Sequence, residues 1–561
     1  MRNRRLVLSA AFIAAGVGLI PGTAQADPAA SGTAGAPKLA APDVNLDDAA
    51  ARSFKTFTSP ADRTVRKTLS APQNKAAAAP MTAGTVAGNP NLAVALGAEN
   101  SSAHGLQLKS TITSEAASLK VTIAWGDGTT DTADAAGSTV LTTPHMYAEV
   151  GSYKVTVTVV DAANNTQAVN QLDVVTEGSD FTPYAPTRLL DTRSGIGAPK
   201  GKVPAYGTTR VKVEGNGSIP DNVTAVVLNV TVTNTTSGGH ITAYAKDADR
   251  PTSSNVNFSA GQTVPNLVIV PVSQDGYVEL YNAGWESVDL LADVTGYFTQ
   301  TASSGYTPMA PTRFVDTREG LGTAKGQVAG QATFSTQMSG LRGVPQGVKA
   351  VALNVTVTNP KEDGHLTVFP SGQAAPSTSS VNFTAGQTIA NSVIVPVGPD
   401  GKISVRNGAW AGTDVVVDVV GYYGPDGKGA YLPLDPLRLV DTRDPGSPVY
   451  GPLEGQSYIY VPFSDTEPGI SGFVLNTTVT NTQGGGYLTV APDPNTSGQY
   501  ENGTEAWPTP PNSSNLNWTQ GRTVPNLVQA STGANGIVDF WNRGWDNIDL
   551  VVDVFGYYDT K

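Results

Sequence analysis

The chain has 561 residues, no cysteine and a formal charge of −12. Without cysteine there are no disulfides, thiolate metal sites or cysteine nucleophiles, and an acidic chain lacking basic clusters is poorly suited to nucleic acid, whose phosphates require Lys and Arg. The 60 glycines, 39 prolines and 15% charged residues fit strands joined by turns, in a chain long enough for several domains.

Residues 1–26 read as an export signal. Arg2, Arg4 and Arg5 precede the apolar run LVLSAAFIAAGVGLI, and Ala24-Gln25-Ala26 offers a cleavage site before Asp27. The run is short for a membrane span and is followed by Pro21-Gly22. The Arg4-Arg5 pair leaves twin-arginine export open beside the general secretory route. No membrane span is expected after cleavage, and the C-terminal GYYDTK carries no sorting motif. The expected location is outside the cell, secreted or held non-covalently at the wall.

Residues 27–88, rich in Ala, Pro, Thr, Ser and Gly, read as a flexible leader. Within it, RSFKTFTSPADRTVRK is mildly basic and is expected to be a solvated linker. From 89 to 176 the pattern becomes alternating strands and turns. The set Trp125-Gly126-Asp127-Gly128-Thr129, His145-Met146-Tyr147 and Gly151-Ser152-Tyr153 resembles the PKD (polycystic kidney disease) domain. That resemblance implies an immunoglobulin-like β-sandwich without catalytic residues, with Trp125 and Tyr153 as core anchors. Asp127 and Asp131 could hold calcium, but carboxylates in a hairpin turn more often shape the turn.

Three related modules follow, at 182–299, 306–424 and 431–559. Each opens on a DTR motif (Asp191, Asp316 and Asp441 lie 125 residues apart) and closes on DVTGYF, DVVGYY or DVFGYY. Between them recur AVVLNVTVTN, AVALNVTVTN and FVLNTTVTN, and then SSNVNF, SSVNF and SSNLNW. Seven or eight short strands per module, with no helical run, predict an antiparallel sandwich or jelly roll. A 125-residue period is too long for a solenoid unit, so each copy should own a core. The fold class is therefore all-β: tandem β-sandwich domains, one Ig-like and three jelly-roll or sandwich-like. Short links favour a semi-rigid rod of four domains. The modules also resemble a repeat of secreted and surface-associated actinobacterial proteins. That likeness implies export and surface association, and no particular activity.

The recurring acids and arginines are Asp191, Arg193 and Asp293, then Asp316, Arg318 and Asp418, then Asp441, Arg443 and Asp553. Paired carboxylates can cleave sugar bonds. Three copies of one active site in a row would be odd, however, and an Arg clamped by acids to join the first and last strands is the better reading. Arg188, Arg313 and Arg438 are expected to serve the same framework. His240 and His365 give way to Tyr487 in the third module, and no nucleophile elbow, HExxH or phosphate-binding glycine loop is present. No catalytic residue, metal or cofactor is expected.

Asn266, Asn391 and Asn526 sit between a turn and a strand, where an amide can cap backbone groups; the alternative is a sugar site, since amides also pair with hydroxyls. The last hairpin carries the candidate ligand residues: Trp285, Trp410 and Trp545 beside Asn282, Asn407 and Asn542, with Tyr281, Arg406 and Trp541 preceding each Asn. A loop Trp can stack on a sugar ring. It can equally fold down as a hairpin plug. The expected function is non-catalytic, multivalent binding of cell-wall or extracellular polysaccharide. The alternatives are a structural or adhesive protein recognising protein partners, and a carbohydrate-active hydrolase.

Overall fold

The computed structural model describes residues 54–69, 88–246, 249–464 and 469–561. The expected export signal lies outside them. The first domain is a β-sandwich of a four-stranded and a five-stranded sheet. Residues 54–69, expected in the flexible leader, supply an edge strand to each sheet. Thr56–Ser59 pairs with Ala93–Asn100, and Val65–Thr68 pairs with Thr166–Val175. Trp125 is fully buried as expected, whereas Tyr153 is only half-buried and stacks on the buried Tyr147 at 3.9 Å.

Each module is an eight-stranded jelly roll. In the first module the strands are Asp180–Asp191, Thr208–Lys212, Val223–Thr233, Gly239–Tyr244, Val256–Phe258, Val264–Pro271, Tyr277–Asn282 and Asp289–Thr299. Strands one, eight, three and six form one sheet, in that order, and strands two, seven, four and five form the other. Both later modules repeat this order. Each module has its own core: Leu228, Val230 and Val232 of strand three, for example, pack with Ile241, Val278 and Leu280 of the opposite sheet.

The closing DVxGY(F/Y) motif has a packing reason. The ring of Phe181, Tyr306 or Tyr431 on the first strand lies directly over Gly296, Gly421 or Gly556 of the eighth, in the space a Cβ would fill. The Tyr306 hydroxyl donates to the Val420 carbonyl at 3.2 Å, and the Tyr431 hydroxyl to that of Phe555 at 2.9 Å.

The modules do not form the expected rod. They close into a ring around a pseudo-threefold axis, with their first sheets facing inward. Strand three is therefore buried on both faces. Its alternate residues Ala225 and Val227 join Ala350, Ala352 and Val474 in an axial core with Phe181, Ile269, Phe298, Tyr306, Tyr423, Tyr431 and Tyr558. Such two-sided burial removes the apolar-polar alternation of a half-exposed strand.

Further along the axis the apolar layer gives way to amides. Asn391 Nδ2 donates to Asn229 Oδ1 at 3.1 Å, Asn526 Nδ2 to Asn354 Oδ1 at 3.4 Å, and Asn266 Nδ2 to Asn476 Oδ1 at 3.2 Å. Asn229 and Asn476 also donate to the carbonyls of Ser379 and Ser254, at 2.6 and 2.7 Å, and Asn354 donates to that of Ser514. First joins second, second joins third, and third returns to first.

Strand register orients the ring. Asp180 pairs with Thr299 at one end, the base, and Thr233 pairs with Asp289 at the other, the crown. The first domain docks at the base. There Gly178 and His104 donate to the Ala103 and Lys561 carbonyls at 2.9 and 2.7 Å, and Ala103 N donates to Asp559 at 3.0 Å. The DTR motif and the Trp-bearing hairpin lie at the crown.

Asn476→Ala tests the return contact. It removes the donor to the Ser254 carbonyl and the acceptor of one Asn266 N–H, while the other bonds of Asn266, to the Asn255 carbonyl and from Leu527 N, stay within reach; the cost is about 1–3 kcal/mol. Urea denaturation should show a lower midpoint at unchanged slope; a shift within about 0.5 kcal/mol, as for an ordinary surface site, would contradict the closed ring.

Candidate functional site

The side chains of Trp285, Trp410 and Trp545 are 75%, 83% and 85% exposed. None folds down as a plug. All three occupy the turn between strands seven and eight, so the crown presents three indoles at equivalent positions.

The asparagines expected beside a ligand have a different role. Asn282, Asn407 and Asn542 are fully buried, and their amides hold the Trp loop from beneath. Asn282 Nδ2 lies 3.0 Å from the Pro204 carbonyl and 2.9 Å from that of Glu286, while its Oδ1 accepts from Gly284 N at 2.9 Å. Asn407 bonds Val328, Ala411 and Ala409 in the same way, and Asn542 bonds Leu453, Asp546 and Gly544. An amide engaged at both ends has nothing left for a ligand. It makes the tip rigid instead.

A second brace was not visible in the sequence. Tyr206, Gln331 and Gln456 each take a left-handed backbone, with φ of 55°, 61° and 56°. Such strain in a non-glycine residue concentrates at functional sites. Gln331 Nε2 donates to the carbonyls of Gly408 and Ala409 at 2.8 and 2.9 Å, and Gln456 Nε2 to those of Arg543 and Gly544 at 3.0 Å. In the first module Tyr206 instead sets its ring edge-on to Trp285, 5.7 Å between centroids.

The residues before each Asn are not part of a common surface. Tyr281 is half-buried beneath the Arg250 guanidinium, 4.0 Å from its ring. Trp541 is only 2% exposed and stacks on Tyr458 at 4.2 Å. It is covered by a segment unique to the third module, which includes the helix Ser497–Asn502 and Trp507.

The repeated charges neutralise one another, but only one of the two sets of arginines joins the strands. Arg188, Arg313 and Arg438, rather than the DTR arginines, join the first and eighth strands. Arg438 grips Asp553 at 2.7 and 3.1 Å and reaches Asp441 at 3.2 Å; Arg188 and Arg313 do the same with Asp293 and Asp191, and with Asp418 and Asp316. Arg193, Arg318 and Arg443 turn back on the Asp two residues earlier, at 2.7, 2.6 and 2.7 Å. Hydrogen bonds from Arg193 and Arg443 hold Asp191 and Asp441 below the usual carboxylate range. Burial pushes Asp293 and Asp553 above it, against the pull of Arg188 and Arg438. Asp191, Asp316 and Asp441, like Asp293, Asp418 and Asp553, are buried, and each is held by an arginine.

His240 and His365 are half-buried, and burial lowers both. Asp127 accepts from Thr129 and meets His145 Nε2 at 2.9 Å, while Asp131 accepts from Trp125 Nε1 at 2.9 Å. Protein donors thus occupy both candidate calcium carboxylates. Among the described residues no group of three His, Asp or Glu could hold a metal ion.

The third module adds a buried acid pair beneath its unique segment. Tyr500 donates to Asp493 Oδ2 at 2.5 Å, and burial together with the neighbouring Asp493 pushes Asp539 up to about 10.

No protein-family model matches the chain, and no curated protein does. Among solved structures, one reported as the atomic structure of Sulfolobus Turreted Icosahedral Virus is 10% identical over 68% of this chain and 91% of that one, with a TM-score of 0.15. Another, reported as the triple jelly roll fold and turret assembly of an archaeal virus, is 9% identical over 68% and 90%, also at 0.15. The N-terminal CBM22 tandem domain of Paenibacillus barcinonensis Xyn10C is 12% identical over 44% and 95%, at 0.14. Scores this low leave the strand topology itself as the ground for the fold.

The acid pair makes a pH test. A carboxyl raised in the folded state keeps its proton after the unfolded chain has lost it. Stability is therefore full below pH about 4 and falls as pH rises toward 10, by up to about 1.4 kcal/mol per unit. Asp539→Asn should flatten the melting-temperature profile between pH 5 and 9 relative to the parent. Parallel profiles would show that Asp539 is ionised in the folded protein.

Proposed function

We propose that this protein is an exported, surface-associated binding protein whose three crown loops engage a repeating polysaccharide of the cell wall or extracellular matrix. The observation that carries this reading is the exposure of three large indoles at equivalent, rigidly braced tips on one end of the molecule. An exposed Trp costs apolar hydration, and scattered ones need no explanation, but three at one repeated position make a pattern. An indole face offers a flat apolar platform for the CH groups of a sugar ring. Bracing by Asn282, Asn407 and Asn542 means little ordering entropy is lost on binding. The three weak contacts then act together on a polymer through effective concentration.

The export signal and the likeness of the modules to an actinobacterial surface repeat support the location. The first domain, PKD-like in its motifs, sits at the base and leaves the crown free, as a spacer would. The hydrolase alternative loses ground because each repeated carboxylate is already held by an arginine. An adhesive protein that recognises protein partners remains as an outcome of the test.

Retention of the protein on purified cell wall, chitin and cellulose should fall more than about tenfold in the triple variant W285A/W410A/W545A, because loss of all three contacts also removes the avidity. Single variants should lose much less, and melting should be unchanged. Retention by the triple variant equal to the parent's would refute the tryptophan platform. Absence of retention on every polymer by the folded parent would favour the protein-partner reading.

A further inference from the structure

A second feature of the crown belongs to no single module. The turns between strands five and six read Ser259-Ala260-Gly261-Gln262-Thr263, Thr384-Ala385-Gly386-Gln387-Thr388 and Thr519-Gln520-Gly521-Arg522-Thr523. The three meet around the axis. With Asn257, Asn382 and Asn517 they line one cavity of about 690 Å³, within the roughly 300–1,000 Å³ of small-molecule sites. The cavity exists only because the ring is closed.

Its wall is rich in donors. Asn257 Oδ1 accepts from Ser254 Oγ at 3.0 Å, and Asn382 Oδ1 from Ser379 Oγ at 2.9 Å. Gln262 Oε1 accepts from Ser259 N at 2.8 Å, and Gln387 Oε1 from Thr384 N at 2.9 Å. With their oxygens engaged inside the protein, these four amides are left with NH₂ groups to offer.

The third module departs from the pattern twice. Ser514 turns toward Thr356 of the second module, at 3.4 Å, and Asn517 Oδ1 is left buried without a partner. Where the other modules have Gln, the third has Arg522, an exposed guanidinium with no ion pair among the described residues. The one carboxylate in the lining, Asp363, accepts from Ala385 N at 2.8 Å. His365, also in the lining, is lowered by burial and by Arg406.

We infer that the axial cavity binds an anionic group, a carboxylate or phosphate, carried on a polyhydroxylated unit. Arg522 pairs with the anion, the amide NH₂ groups donate to its oxygens, and Asn517 Oδ1 accepts from a ligand hydroxyl. Thr263, Thr388 and Thr523 give the rim a polar lining. Trp285, Trp410 and Trp545 do not line the site, although His365 and Trp518 of its lining pack against the loops that carry Trp410 and Trp545. The site shares with the proposed function only the saccharide nature of the ligand.

The test uses calorimetry on the full chain with three probes: trigalacturonate for the carboxylate source, glycerol 1-phosphate for the phosphate source, and cellotriose as a neutral control. Arg522→Gln is the variant, since Gln262 and Gln387 show that the turn accepts Gln. One or both anions should bind at low salt, more weakly as salt rises, and the binding source is the one named. Arg522→Gln should weaken binding about tenfold, as for one charge-assisted hydrogen bond, while W285A/W410A/W545A leaves it intact. Binding of neither anion, equal binding of cellotriose, or no effect of Arg522→Gln would overturn the inference. Loss of polymer retention in the Trp variant with anion binding intact would separate the two sites.

Discussion

The amide contacts among Asn229, Asn391, Asn354, Asn526, Asn476 and Asn266 are the constraint on which the rest of the molecule depends. Each crosses from one module to the next, and together they return to their start. A buried amide N–H without a partner costs more than a paired one contributes, so each inter-module contact favours the closed arrangement over an open one. Above an apolar layer that would accept many registers, these directional bonds fix one. That matches the registry role best attested for buried polar groups.

Closure accounts for the polarity of the molecule. The inward sheets carry apolar side chains on both faces near the base, and amides and threonines nearer the crown. Chain entry, module links and the first domain gather at the base. The loops left at the crown are free of chain connections, and there the tryptophans and the axial cavity sit. The acid and arginine clusters at the ends of the first strands are buried pairs that contribute little net stability while making any loss of one partner costly. Their work is to hold first strand to eighth beside the crown loops.

Much of this was legible in the sequence. The 125-residue period, the turn spacing and the alternation of the outer strands specify modules of seven or eight strands, each with its own core. The ring was not read, for a definite reason. AVVLNV is apolar on both faces, which marks a strand covered on both sides, yet nothing local says that a sister module is the cover. Asn282 looks the same whether it braces a loop or awaits a sugar, because its surroundings come from Val203 and Pro204, some 78 residues away. Trp541 aligned with Tyr281 and Arg406, and the segment that buries it went unread, although the third module is longer between Pro492 and Ser513 than its sisters are at the same place. The three loop tryptophans were legible as a repeated feature, but whether they point outward or fold down was not, because that depends on the packing beneath the loop; the structure leaves them 75%, 83% and 85% exposed.

The closed ring is tested most directly by spin-label distances between its turns. The cysteine-free sequence makes labelling clean, and Ala260, Ala385 and Gln520 are equivalent, exposed positions. Double electron–electron resonance on the pairs 260/385, 385/520 and 260/520 should give three similar distances, because the three turns surround one cavity. A 260/520 distance close to twice the other two would mean modules strung in a line, and would contradict the account.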